Sequence, residues 1–156
     1  KKNYDLAIAW YEKAADQDHI DSQYNLGVIY ENGLGHIKKN KLKAAEWYHL
    51  AAESGHNIAR LNLGFIHHLL EEYDEAVKWF TWAADNGSLK AQQNLATMYL
   101  TGDGVKTDFV KSYMWFSIVS MTGDEKSFKA LDFLTTKMNS SDITMAKSMV
   151  IEWLGE

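Results

Sequence analysis

The sequence contains no cysteine and no proline among its 156 residues. Without cysteine, the chain can form no disulfide, no thiolate metal site and no cysteine nucleophile. It also lacks any apolar run approaching 18 residues, so the sequence predicts no membrane span. Basic residues are fewer than acidic ones, with 16 Lys and Arg against 21 Asp and Glu, which gives a net charge of −5. This balance argues against nucleic-acid binding, which requires surplus basic residues to contact phosphate.

What remains is the composition of an ordinary globular protein, with 46% hydrophobic and 24% charged residues. The length corresponds to one domain or one stretch of a repeat array. The chain enters a helical pattern directly, without an initiator methionine or a signal-type hydrophobic segment, and we interpret it as part of a larger protein with further repeats before Lys1. Localisation is open between the cytoplasm and a bacterial periplasm, since any secretion signal would lie outside this chain. The oligomeric state is equally open.

An aromatic pair recurs along the chain with a constant set of neighbours. The pairs follow one another at steps of 37, 32 and 36 residues, and they are Trp10-Tyr11, Trp47-Tyr48, Trp79-Phe80 and Trp115-Phe116. A second motif keeps the same steps between its three copies, which are Asn25-Leu26-Gly27, Asn62-Leu63-Gly64 and Asn94-Leu95-Ala96. Self-similarity at a nearly fixed period of this length predicts tandem structural repeats.

Each repeat is predicted to contain two helices, because its apolar residues recur three and four positions apart. The first helices are expected over 20–32, 57–70 and 89–101, and the second helices over 4–16, 41–54, 73–86 and 108–121. We divide this single repeat domain into a half repeat 1–18, repeats 19–55, 56–87 and 88–123, and C-terminal capping helices 124–156. Ser140-Ser141-Asp142 is expected to offer capping oxygens to the last helix, with Ile143, Ala146, Val150 and Trp153 on its apolar stripe. The expected fold class is therefore all-α, a right-handed α-α superhelix of about nine helices.

These repeats resemble the Sel-1-like repeat, a bacterial-type relative of the tetratricopeptide repeat. The motif is clearest in the second repeat, as Ser22, Leu26-Gly27, Tyr30, Gly33-Leu34-Gly35, Ala44, Trp47-Tyr48, Ala51-Ala52 and Gly55. The resemblance covers residues 4–124 and departs from the pattern at the 32-residue step, where Leu69–Tyr73 replaces the glycine loop. It implies a non-catalytic scaffold that binds a protein or peptide in a concave groove, in an envelope, signalling, virulence or toxin-neutralising context.

A hydrolase of β-lactam or cell-wall type is the alternative, because some cysteine-rich members of the resembled family are described as acting on β-lactams. Such chemistry typically uses Ser-x-x-Lys, whereas Ser127-Phe128-Lys129 has the wrong spacing. Turnover of a chromogenic β-lactam would separate the two functions. We predict no enzyme activity and no cofactor. We also predict no metal site, since the adjacent His67 and His68 point about 100° apart on a helix.

Two sets of residues carry the remaining expectations. Trp47, Trp79 and Trp115 are expected in the core, as the invariant members of the aromatic pairs, and helical Gly27 and Gly64 are expected where a neighbouring helix approaches closely. A second face of each first helix changes character between repeats and is the predicted protein-binding surface. Its central anchor is expected to be Phe65, and its residues are Tyr24, Val28, Glu31, Leu61, Phe65, His68, Gln93, Thr97 and Leu100.

Overall fold

The structure is a computed structural model that describes residues 4–155. Over this range the chain forms α-helices and no strand. The helices are α1 (Tyr4–Ala15), α2 (Ile20–Asn32), α3 (Lys41–Glu53), α4 (Asn57–Leu69), α5 (Tyr73–Asp85), α6 (Leu89–Thr101), α7 (Phe109–Ser120), α8 (Glu125–Thr135) and α9 (Ser140–Gly155). The all-α helical-repeat prediction is confirmed, and the repeat helices begin and end within one residue of their predicted bounds.

The chain divides into two compact units. Unit 1 is Lys1–Glu71 and contains α1 to α4, whereas unit 2 is Glu72–Glu156 and contains α5 to α9. In unit 1, α2 packs on both α1 and α3, and α4 packs on α3. In unit 2, α6 packs on α5 and α7, while α8 and α9 both pack on α7. Each unit is therefore built from antiparallel neighbours joined by short connections.

Each first helix begins at a side chain that accepts a hydrogen bond from the backbone three residues later. His19 Nδ1 accepts from the Ser22 amide at 3.2 Å, and His56 Nδ1 accepts from the Ala59 amide at 3.0 Å. Ser88 and Asp124 occupy the same position in α6 and α8. Such N-caps satisfy amides that have no partner within the helix.

The start of α9 differs from expectation. Ser140, Ser141 and Asp142 are expected to supply its capping oxygens, but Asn139 Oδ1 accepts the bond from the Asp142 amide at 2.9 Å. The cap therefore lies one residue earlier than the sequence predicts. The apolar stripe of this helix is as expected, since Ala146 and Val150 are buried and Trp153 meets Trp115 edge-on at 5.8 Å.

The aromatic pairs bury their second member more consistently than their tryptophan. Tyr48 and Phe80 have no exposed surface, whereas Trp47 and Trp79 are half-buried and Trp10 is 64% exposed. The prediction of a tryptophan core is confirmed for Trp115, which is 5% exposed. Trp47 is partly buried and packs against the core of unit 1, and Trp79 is half-buried, so in both pairs the second aromatic is the more deeply buried one. Adjacent residues point about 100° apart around a helix, so a prediction that is off by one residue names the less buried member of a pair as the core residue.

Gly27 explains why the second aromatic is the buried one. A Cβ at Gly27 would lie 2.5 Å from Cε1 of the Tyr48 ring, closer than carbon atoms approach without a shift. The absent side chain lets the ring of α3 pack directly against the backbone of α2. The predicted close approach of a neighbouring helix is confirmed at this glycine, and it offsets the roughly 1 kcal/mol that glycine costs within a helix.

The glycine loops of two repeats each cover the start of a second helix. In unit 1, a Cβ at Gly35 would lie 2.8 Å from the Asp5 carboxylate and 2.9 Å from Tyr4 Cβ. In unit 2, Gly104 approaches Tyr73 and Asp74 at the start of α5 with similar closeness. The connection between α4 and α5 is only residues 70–72 and contains no such loop.

Candidate functional site

In unit 1 the predicted binding residues lie on α2 and α4, and none of them is fully buried. On α4, Ile58 is 54% exposed and Phe65 is 36% exposed, while Leu61 between them is half-buried. These three residues are three and four positions apart, so they follow one face of the helix. His68 continues the same face and is half-buried. We call Ile58, Leu61, Phe65 and His68 the α4 face.

The α2 residues of the predicted surface are tied into the structure of unit 1. The Tyr24 ring stacks on the His56 ring with centroids 4.3 Å apart, and it lies 5.7 Å from the Tyr48 ring. Tyr48 donates a 2.6 Å hydrogen bond from its hydroxyl to Glu31 Oε2. Tyr24 and Glu31 therefore stabilise the contact between α2, α3 and the start of α4, besides being accessible to a partner.

The electrostatics of this cluster follow from its burial. Burial and the hydrogen bond to Glu31 raise the pKa of the Tyr48 hydroxyl far above its ordinary value. The hydroxyl is thus held protonated, as a donor to the carboxylate, throughout the neutral range.

In unit 2 the predicted residues lie on one face of α6 and are more polar. Gln93 Nε2 donates to Asp124 Oδ2 at 3.3 Å, and the Thr97 hydroxyl donates to the Gln93 carbonyl at 2.9 Å. Leu100 is half-buried. Asp124 also accepts from the amide and hydroxyl of Ser127, and these bonds lower the pKa of its carboxyl group. Gln93 is therefore engaged within unit 2 at the N-terminus of α8.

Within residues 4–155, Ser127 has a structural role, and the side chains that could ligate a metal do not cluster. Ser127, the serine weighed for hydrolysis, is buried and donates its hydroxyl hydrogen at 2.7 Å to Asp124, the carboxylate that caps the start of α8. Within the described residues, His, Asp and Glu form no group of three that could hold a metal ion. In the same part of the chain, no helix has the length and apolarity needed to cross a bilayer.

The histidine caps are not among the predictions made above, although the sequence contains a signal for them. His19, His56, Ser88 and Asp124 follow one another at the same 37, 32 and 36 residue steps as the aromatic pairs. All four residue types can accept a hydrogen bond from a backbone amide. A repeat column with this shared property just before each first helix predicts N-caps, and it assigns two of the six histidines a structural role.

Comparison with known proteins identifies the repeat. The model of the Sel1 repeat matches residues 1–19, 20–56, 59–88 and 89–118. Among solved structures, a Sel1 repeat protein from Oxalobacter formigenes is 34% identical with a TM-score of 0.74, over 84% of this chain and 55% of that one. A protective antigen of uropathogenic Escherichia coli displaying an SLR fold is 27% identical with a TM-score of 0.60, over 96% of this chain and 40% of that one.

The present chain thus spans about half the length of these solved proteins or less. The family match, by contrast, extends over most of the chain and over the helices that carry Gly27, Tyr48 and the α4 face. The chain belongs to the Sel1 repeat family.

Proposed function

We propose that this chain is a non-catalytic scaffold that binds a protein or peptide through the α4 face, with the exposed face of α6 as a further contact surface. Sel1 repeats generally serve as protein-interaction scaffolds and are generally non-catalytic. The α4 face is the feature of this chain that assigns the binding role to a particular surface.

The observation that carries the proposal is the apolar exposure of α4. Ile58 and Phe65 present a large aliphatic and an aromatic side chain to solvent on one face of a helix in unit 1. Contiguous exposed apolar groups on a folded protein mark sites of association, because they gain free energy when a partner removes them from water. Aromatic residues near the centre of such a surface often dominate the binding energy.

The polar surroundings of this face fit an interface. His68 extends it on the same helix, and Tyr24 lies near its start, stacked on His56. Interfaces typically place an apolar centre within a polar rim, which excludes water from the central contacts. On this basis we expect Phe65 to contribute the main anchor, Leu61 to support it, and His68 to lie at the edge.

The test compares two matched double variants. Phe65→Ala with Ile58→Ala removes the exposed apolar groups of α4, whereas Phe128→Ala with Ile151→Ala removes an aromatic and an aliphatic group that are 50% and 72% exposed in unit 2. Partners are captured from a lysate with the unaltered protein, identified and purified. Their dissociation constants are then measured for all three proteins, after circular dichroism has shown equal helicity and thermal midpoints.

We expect the α4 variant to weaken binding by at least about 2 kcal/mol, roughly thirtyfold in Kd, and the control variant to leave it unchanged. Equal binding by the two variants would remove the α4 face from consideration. A partner lost only by the control variant would place the interaction surface in unit 2.

A further inference from the structure

A second surface of unit 1 is an open groove between α3 and α4 with a volume of about 550 Å³. Leu42, Ala45 and Leu50 line it from α3, and Leu63 and His67 line it from α4. Leu42 is 62% exposed and Leu50 is 45% exposed, so two large aliphatic side chains meet solvent at this groove. We call it the α3–α4 groove. It contains no residue of the α4 face.

One repeat earlier, the equivalent surface is covered by a loop of the same chain. Ile8 of α1 corresponds to Ala45, 37 residues later, but Ile8 is 1% exposed whereas Ala45 is half-buried. Leu34 and Ile37, from the loop that follows α2, pack against the buried cluster that contains Ile8. Gly35 lies between them, and a Cβ on it would be 3.1 Å from Ile8 Cδ1. The loop therefore fills this position with two aliphatic side chains.

The covering part of the loop is a tight turn. The Ile37 amide donates a hydrogen bond to the Leu34 carbonyl at 3.2 Å, and Gly35 has a φ of 65°. A positive φ at this position favours glycine, because other residues are strained there. The ends of the loop are also close together, since the Asn40 amide donates to the Tyr30 carbonyl at 2.8 Å. The turn thus presents aliphatic side chains three residues apart to one surface.

The α3–α4 groove is open because no such loop follows α4. The connection there is residues 70–72, whereas residues 33–40 join α2 to α3. The contact that holds the earlier loop is also missing, since Asp5 accepts a hydrogen bond from the His36 amide at 3.1 Å and the residue equivalent to Asp5 is Leu42. At the matching position, an exposed aliphatic side chain therefore replaces a polar contact of the loop.

We propose that the α3–α4 groove binds a turn of a partner protein that carries two aliphatic side chains three residues apart, with glycine after the first. The two side chains cover Ala45 and the exposed surfaces of Leu42 and Leu50, as Leu34 and Ile37 cover the cluster around α1. Binding is favourable because it removes apolar surface of both molecules from water.

The groove also specifies the residue that follows the glycine. In the covered repeat this residue is His36, which faces Asp5. In the α3–α4 groove it faces Leu42, so an apolar side chain fits better than histidine. Glu46 and His67 line the groove beside these apolar groups and provide a polar rim. The expected sequence of the turn is therefore aliphatic, glycine, apolar, aliphatic.

The same loop of a second copy fits this role poorly. In each copy Leu34 and Ile37 already pack against the buried cluster of their own unit 1. Moving them into the groove of another molecule would expose that cluster, so the apolar surface gained in one place would be lost in the other. The turn is therefore assigned to a different protein.

The test uses a defined peptide as the probe. It consists of residues 33–39 with His36→Leu, joined end to end so that the turn is formed before binding, which reduces the entropy lost on association. The control peptide carries Leu34→Ser and Ile37→Ser in addition. Each peptide is titrated into the ¹⁵N-labelled protein, and the amide chemical shifts give the position of binding and the dissociation constant.

Two protein variants locate the binding on the protein. Leu42→Ser with Leu50→Ser removes the exposed aliphatic groups of the groove, and Ile58→Ala with Phe65→Ala alters the α4 face instead. All four residues are exposed, so both variants should keep their helicity and thermal midpoint, which circular dichroism verifies before the titrations.

We expect saturable shifts around Ala45 with the first peptide and at least about tenfold weaker binding of the serine peptide. The groove variant should lose binding to the same extent, and the α4 variant should bind like the unaltered protein. Equal binding of the two peptides, or unchanged binding by the groove variant, would overturn the proposal. So would the absence of saturable shifts with the first peptide at about 1 mM. None of these results bears on the α4 face as a binding surface.

Discussion

The hydroxyl of Tyr48 on α3 lies 2.6 Å from Glu31 Oε2 on α2, and the ring of the same tyrosine covers Gly27 one turn earlier on α2. One tyrosine side chain thus joins two helices, through the packing of its ring and through the hydrogen bond of its hydroxyl. Its ring needs the missing Cβ of glycine, and its hydroxyl supplies a donor to a half-buried carboxylate. Because charge-assisted hydrogen bonds are stronger than neutral ones, this contact should be a main source of stability in unit 1.

Replacing Gly27 with alanine should therefore destabilise the protein, although alanine is the better helix former. The new methyl group would overlap the Tyr48 ring, and overpacking of this kind typically costs about 1–3 kcal/mol. Urea unfolding measures the effect. In a Tyr48→Ala background the same substitution should become stabilising by about 1 kcal/mol, as helix propensity alone predicts. A stabilising Gly27→Ala in the native background would contradict the close contact.

Tyr48→Phe should lower stability at pH 7 by about 1.5–3 kcal/mol, the range for hydrogen bonds to charged groups. It should also change the pH dependence. The folded-state pKa of Tyr48 is raised, so the stability linked to its proton is fully present below the unfolded-state pKa near 10 and is lost as the pH rises above it. Between pH 10 and 11 the native protein should lose up to about 1.4 kcal/mol more than Tyr48→Phe. Parallel pH profiles would show that Tyr48 ionises normally in the folded state.

Phe80→Ala and Trp10→Ala compare a fully buried second aromatic with an exposed tryptophan of another pair. Phe80 is completely buried, so its truncation should cost about 3–5 kcal/mol. Trp10 is 64% exposed, and its loss should stay within about 0.5 kcal/mol, as for other surface positions. Chemical denaturation of both variants gives the comparison. A larger loss for Trp10→Ala than for Phe80→Ala would show that the exposure of these side chains does not determine their contribution to stability.

Asp18→Gly should stabilise the protein. Asp18 has a backbone φ of 59°, and the equivalent residues of the later repeats are Gly55, Gly87 and Gly123, with φ of 98°, 82° and 85°. Left-handed backbone costs an L-residue roughly 1–2 kcal/mol, less for aspartate, so we expect a gain of about 0.5–1 kcal/mol. The reciprocal change, Gly55→Ala, should destabilise by a similar amount. Thermal unfolding of both variants gives the comparison, and a loss of stability in Asp18→Gly would mean that its carboxylate has an overriding role.

The helices could be placed from the sequence because their signals are local. The spacing of apolar and small residues defines α2, α4 and α6 within a residue of their observed ends, and a glycine also marks the ends of α2 and α6. Local signals do not determine which member of each aromatic pair points into the core. An alanine follows both Trp47 and Tyr48 four residues later, so the helical period is satisfied whether the tryptophan or the tyrosine points into the core. The choice depends on Gly27 in the neighbouring helix, and it becomes visible only when the two helices are packed together.

The candidate site was similarly predictable in part. The sequence distinguishes the faces of α2, α4 and α6 from the packing columns; in the structure none of these residues is fully buried, and their binding role stays a prediction. It did not show that Tyr24 stacks on His56 or that Gln93 reaches Asp124. These pairs are 32 and 31 residues apart, and side-chain contacts at that separation depend on how successive repeats are stacked.

The short connection at residues 70–72 is a position at which this chain can accept an insertion. In the repeat 19–55 the loop after α2 covers Tyr4 and Asp5, whereas the matching positions on α3 are Lys41 and Leu42. Leu42 is 62% exposed beside the α3–α4 groove. A few residues inserted after Leu70 could therefore pack against an exposed apolar surface on α3. Lengthening a surface loop costs little entropy. New surface chemistry can be acquired here by insertion, with every helix left as it is.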